Sequence, residues 1–162
     1  MAIINTQRGF ALLIAVIFMS VMLAFALAIG SLVYKQAILA SSALESQYAF
    51  YAADAALECV LYEDQLPGGS VFSVPTGTDV TFPCGTQSVT VHMQDVGLGP
   101  WTKQQFDLGD NHCADISIYK YNTPPPGSTY TTFIFSQGYN VSCSAVQNNS
   151  SRYAARGLQA HY

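Results

Sequence analysis

The residues best suited to chemistry are few: four cysteines (Cys59, Cys84, Cys113 and Cys143), three histidines, and one acidic stretch from Asp107 to Asp115. That stretch reads DLGDNHCAD, and Asp107, Asp110 and Asp115 together with Asn111 offer oxygen ligands of the kind calcium takes. Its spacing does not match an EF-hand loop, so a solvated turn is the plainer reading. His112 stands beside Cys113, the residue pair that can activate a thiolate nucleophile. A disulfide would consume that thiol, and no third group can be assigned to orient the imidazole. His92 falls on the outer face of an expected strand, and His161 lies next to Tyr162. The chain has no Cys-x-x-Cys pair, Ser-centred elbow, phosphate loop or His-Glu-x-x-His motif. Asn140-Val141-Ser142 and Asn149-Ser150-Ser151 match the N-glycosylation pattern, which is common by chance. These residues point away from an enzyme, and they call for neither a cofactor nor a metal.

The elements that must position them begin with an uncharged run of 24 residues, Phe10 to Val33. As a helix it would cover about 36 Å, enough to cross the hydrocarbon of a bilayer. All four cysteines follow it. Export would place them in an oxidising compartment, where two disulfides are possible in three connectivities. Pairing of neighbours along the chain, Cys59 with Cys84 and Cys113 with Cys143, is the expected arrangement. The second bond would close a loop of about 30 residues and contribute about 3–4 kcal/mol in the loop-entropy model. Four free thiols would instead fit a chain retained in the cytosol.

The 162 residues suffice for one domain beyond the apolar run. Net charge is −4, from 6 basic against 10 acidic side chains, and the basic ones are scattered, so no nucleic-acid surface is expected. Before the run, MAIINTQRG carries one charged side chain, Arg8. Positive charge there, with Glu45, Asp54 and Glu58 after the run, favours a cytoplasmic leader and an exported remainder. A plain signal anchor fits, and Ala26-Leu27-Ala28 resembles a secretory cleavage site, although the apolar run continues past it to Leu32 and Val33.

From Tyr34 to Tyr62 there is no proline or glycine, and the composition is rich in Ala and Leu, so the helix should continue. Ile38, Leu44, Tyr48, Tyr51, Ala55 and Cys59 recur at mostly three- and four-residue spacings, which predicts an apolar stripe. Phe10 to Tyr62 then reads as one helix of 53 residues, about 80 Å long. A small globular domain does not need such an element, whereas many copies packing their apolar halves together would.

Arg8-Gly9-Phe10, the apolar helix behind it and FYAADAALE (residues 50–58) resemble the class III signal peptide and stalk of the type IV pilin superfamily. The segment Gln7 to Glu58 is most similar to the PilX-like minor pilins. The resemblance implies that a prepilin peptidase cuts between Gly9 and Phe10 and that the new amino group of Phe10 is methylated. It also implies an inner-membrane assembly platform as partner and packing against other pilin subunits through the N-terminal helix. On that reading the chain waits in the cytoplasmic membrane with its head outside and passes into a surface filament. Major pilins carry a glutamate at the fifth mature position, where this chain has Ile14. A buried carboxylate needs a charged partner, and Ile14 removes both its cost and its attraction. The substitution points to a minor or initiating subunit, with divergence within a major pilin as the bland alternative. Gly30 and Ser31 fit either a local weak point in the helix or a close helix–helix contact.

Asp64-Gln65-Leu66-Pro67-Gly68-Gly69 should end the helix. Beyond it Val80, Phe82 and Cys84, then Val89, Val91 and Met93, alternate as two strands of a hairpin. Residues 101–112 read as a surface loop. Ala114, Ile116 and Ile118 mark a third strand, and Phe133 to Phe135 a fourth. Ser136-Gln137-Gly138-Tyr139 suggests a bulge or turn before Val141 and Cys143 extend the pattern. Leu158, Ala160 and Tyr162 mark a last strand. Pro124-Pro125-Pro126 cannot sit inside a sheet. The expectation is an α+β fold: a leader over 1–9, a transmembrane or filament-core helix over 10–33, its amphipathic continuation over 34–64, and a β-rich head over 65–162. That head would hold four or five antiparallel strands, one face closed by the helix. The function expected is that of a minor pilin, with adhesion or aggregation as a further role of the head. A pseudopilin of type II secretion or DNA uptake, or a membrane-anchored monomeric binding module, are the alternatives.

Overall fold

The computed structural model describes residues 7–85, 87–95, 97, 99–109, 111–149 and 152–162, except for the side chains of Gln7 and Arg8. Asp110, Ser150, Ser151 and the leader up to Thr6, on which sequence expectations fell, lie outside the described residues. The fold is α+β. Helix α1 runs from Gln7 to Asp64 (58 residues). It is followed by β1 (Asp79–Cys84), β2 (Gln87–His92), β3 (Gln94–Asp95), β4 (Pro100–Asp107), β5 (Cys113–Lys120), β6 (Thr132–Tyr139), the short α2 (Cys143–Gln147) and β7 (Ala155–His161). Strands β1 and β2 form a two-stranded sheet, and β3-β4-β5-β6-β7 form a five-stranded sheet in chain order. All described pairings are antiparallel.

The residues fall into two compact units, one up to Ser41 and one from Ser42 to Tyr162. The described residues of the first are helix alone. From Phe10 to Val33 they are apolar but for Ser20 and Ser31 and mostly unbranched at Cβ or small, and within α1 glycine occurs only at Gly9 and Gly30. The helix stops where Leu66-Pro67-Gly68-Gly69 turns the chain, with Gly69 at φ +101°.

In the second unit the helix is set on the five-stranded sheet by its smallest side chains. Ala49, Ala52, Ala53, Ala56, Leu57 and Val60 are buried. The stripe expected from the sequence lies elsewhere: Leu44, Tyr48, Tyr51 and Ala55 are exposed and Cys59 is only partly covered. Small residues won this face because the backbones approach closely. A Cβ added to Gly138 of β6 would stand 2.2 Å from the Ala49 carbonyl oxygen and 2.3 Å from the Ala53 nitrogen, so glycine is required there. Beside it the Ser136 hydroxyl donates to the Ala53 carbonyl at 2.8 Å.

Three expectations are corrected. Residues 101–107, within the stretch 101–112 expected as loop, belong to β4, paired from Trp101↔Tyr119 to Asp107↔Cys113. Its polar composition hid it, because only Thr102 is fully buried, opposite Ile118. Gly138 is no turn but lies within an unbroken β6, opposite Ala114 and Arg156. Cys143 begins α2 rather than extending a strand. The core gathers Phe72, Phe82, Val91, Met93, Ile116 and Ile118, all essentially inaccessible. Phe72 meets Phe82 edge-on at 5.3 Å.

Candidate functional site

Every residue from Gly9 to Leu44 is exposed. Phe10 and Met19 are each 70% accessible and Ile14 is 50% accessible. This is one helix long and apolar enough, by length and composition, to cross a membrane. Its hydroxyls are satisfied within it: Ser20 donates to the Ile17 carbonyl at 2.7 Å and Ser31 to the Ala28 carbonyl at 2.9 Å. Such bonds to the preceding turn let serine sit in an apolar medium without an unmet donor. No Asp, Glu, Lys or Arg lies between Phe10 and Tyr34, so this surface offers a partner nothing but apolar area and shape. Apolar area on this scale is far beyond what a soluble monomer exposes. Gly9 and Phe10 lie in the first turns of α1, and Ile14 and Gly30 are on its open surface, with nothing within 4 Å of a Cβ built at Gly30.

The second unit is built in the opposite manner, with most of its buried polar groups paired. Disulfides join Cys59 to Cys84, tying α1 to β1, and Cys113 to Cys143, tying β5 to α2. The two bonds link neighbours along the chain. Asp64, the last residue of α1, is buried and gathers three donor side chains. It accepts from Lys120 Nζ of β5 at 2.6 Å, from the Tyr162 hydroxyl and from the Ser70 hydroxyl. Lys120 also donates to Thr132 Oγ1 at 3.0 Å. Burial, reinforced by the neighbouring Asp64 carboxylate, pushes the Tyr162 hydroxyl well above the ordinary tyrosine value. The sequence reading missed this cluster, since nothing along the chain couples Asp64 to residues 56 and 98 positions away.

The calcium candidates have other partners. Asp107 Oδ1 accepts from the Cys143 amide at 2.9 Å, capping α2, and Asp115 pairs with Lys103 at 3.3 Å. Asp110 lies outside the described residues, among which no three His, Cys, Asp or Glu side chains gather as a metal set. Burial raises the Asp115 carboxyl above the ordinary aspartate value, partly offset by Lys103. His92 meets Asp79 at 2.6 Å on the exposed side of the hairpin. His112 packs on Tyr48 at 5.3 Å between ring centroids, and His161 on Tyr130 at 5.0 Å. Cys113 is bonded to Cys143, so the Cys–His pairing offers no thiolate. Asn140 of the first glycosylation tripeptide holds the Ala154 amide at 2.7 Å. An open groove of about 830 Å³ runs beside the Cys59–Cys84 bond, lined by Glu58, Tyr62, Pro83 and Leu108 among others.

No family model, no curated protein and no solved structure matches this chain.

Proposed function

We propose that this chain is an assembly subunit, a PilX-like minor pilin of the type IV superfamily, whose working surface is the apolar part of α1. The observation that carries the reading is the unbroken exposure of residues 9–44 on a helix whose remaining turns enter the core of an α+β head. Such a surface is at rest only in lipid or against other apolar helices. Association in lipid then rests on packing and shape, because hydrocarbon is as apolar as leucine. Without a charge at Ile14 the helix has no electrostatic register to impose on a neighbour, which suits a subunit that starts or punctuates a filament. Gly9 and Phe10 are the processing positions on this reading, with prepilin peptidase and the assembly platform as partners. The same physics serves a pseudopilin of a secretion or DNA-uptake machine.

The test is the amino terminus of the exported protein, read by intact mass and sequencing. A start at Phe10, carrying one methyl group, is the expected result. An intact leader would make the helix a signal anchor for a monomeric module. A cut after Ala28 would make it an ordinary secretory leader.

A further inference from the structure

Strand register sorts the five-stranded sheet into two faces. Ser136, Gly138 and their cross-strand partners meet α1, so the residues between them face away from it. On this outer face one row runs across four strands: Trp101, Tyr119, Phe133 and His161. The next row is Lys103, Ser117, Phe135 and Gln159, and the one after it Gln105, Asp115, Gln137 and Gly157. Aromatic rings therefore give way to amides, a hydroxyl and a carboxylate over four residues of strand, about 13 Å.

The aromatic row is continuous. Trp101 lies 5.8 Å from Tyr119, and Tyr119 lies 6.1 Å from both Phe133 and Tyr121, the latter ring parallel to within 10°. Tyr130 joins the group at 6.4 Å from Phe133. All these rings are partly open to solvent. Two polar atoms beneath this face, Trp101 Nε1 and Asp115 Oδ1, are buried without a hydrogen-bond partner among the described residues.

We propose that this outer face binds a neutral polysaccharide, stacking pyranose rings on Trp101, Tyr119 and Phe133 while Gln137, Gln159 and Ser117 bond their hydroxyls. The charge on the face selects this occupant. Its one ion pair, Lys103 with Asp115, neutralises itself, and His161 is the only other cationic candidate in the three rows. A nucleic acid or an acidic polymer would need several unpaired cations. A purely apolar partner would strip water from Gln137, Gln159 and Ser117 and return nothing. A sugar presents C–H faces to the rings and hydroxyls to the amides at once. The surface lies wholly in the second unit and does not depend on what α1 packs against.

The chain has a single tryptophan, so Trp101 fluorescence reports on this face alone. Full-length chain in a detergent without a sugar headgroup is titrated with cellohexaose and chitohexaose, in parallel with an acidic polysaccharide and a single-stranded oligonucleotide. A saturable, salt-insensitive change with a neutral hexasaccharide is expected, weakened about tenfold in Tyr119→Ala and in Gln137→Ala. Thermal melts of both variants verify that they remain folded, and His92→Ala, on the separate hairpin, should bind as the parent does. Three results overturn the proposal: no response to either neutral sugar, a response that both face variants retain, or preference for the acidic polymer or oligonucleotide. Self-association of the parent that is lost in the same two variants, without sugar binding, would reassign the face to contact between copies.

Discussion

The two units handle apolar side chains in opposite ways. From Ser42 onward, Phe82, Ile116, Ile118 and Ile134 are closed from solvent, and most buried polar groups beside them are paired. Up to Ser41, Phe10, Phe18, Leu23 and Phe25 stand open, and the only polar side chains in the apolar run, Ser20 and Ser31, bond their own helix. The head therefore carries its stabilisation within itself. The apolar run carries none beyond helix hydrogen bonds, and its free energy is decided by what surrounds it. One region folds; the other waits for a partner or for lipid.

Substitutions should divide along that line. The largest effect is expected at Gly138→Val, which drives a side chain into the backbone of Ala49 and Ala53. It should cost about 4 kcal/mol or more in denaturant unfolding of the head. Next comes Lys120→Met, which strands the buried Asp64 carboxylate without its cation. A loss of about 3–5 kcal/mol is expected, most of it recovered when Asp64→Leu is added, because removing both partners leaves no unpaired charge.

A smaller effect concerns alkaline pH. The fold holds the Tyr162 proton more tightly than the unfolded chain does, whose value is near 10.0. The stability gained from the neutral hydroxyl is complete below pH 10 and drains away as pH climbs through the raised folded value. Tyr162→Phe should flatten that alkaline decline, measured by thermal melts from pH 8 upward. The smallest effect on the head belongs to the first unit. Phe18→Ala and Leu23→Ala should leave head unfolding within about 0.5 kcal/mol of the parent while reducing association between chains in membranes. A large loss of head stability from either would erase the distinction between the units.

Legibility in the sequence follows the same division. The long helix was readable because its signal is local: an uncharged run, then a stretch free of proline and glycine, then Pro67-Gly68-Gly69. The strands with strict alternation, Val80 to Cys84 and Ala114 to Ile118, were equally plain. What stayed hidden depends on contacts distant in sequence. The helix face that packs on the sheet is made of alanines, which carry little hydropathy contrast, so Tyr48 and Tyr51 misled the stripe toward solvent. Gly138 reads as a turn until the nearness of Ala49 and Ala53 is known. β4 is polar because just one of its faces is covered, and Asp64 looks like a surface charge at a helix end until Lys120 and Tyr162 are brought to it.

On the proposed function the open helix packs against the helices of neighbouring subunits, copies of this chain among them. A single cysteine placed on it by Leu23→Cys, in a chain whose native cysteines are already paired, tests this by oxidative cross-linking in native membranes and in exported material. The expected result is disulfide-linked dimers through Leu23→Cys that disappear when the membranes are dissolved in excess detergent before oxidation. Only uncross-linked monomers, in membranes and exported material alike, would contradict it.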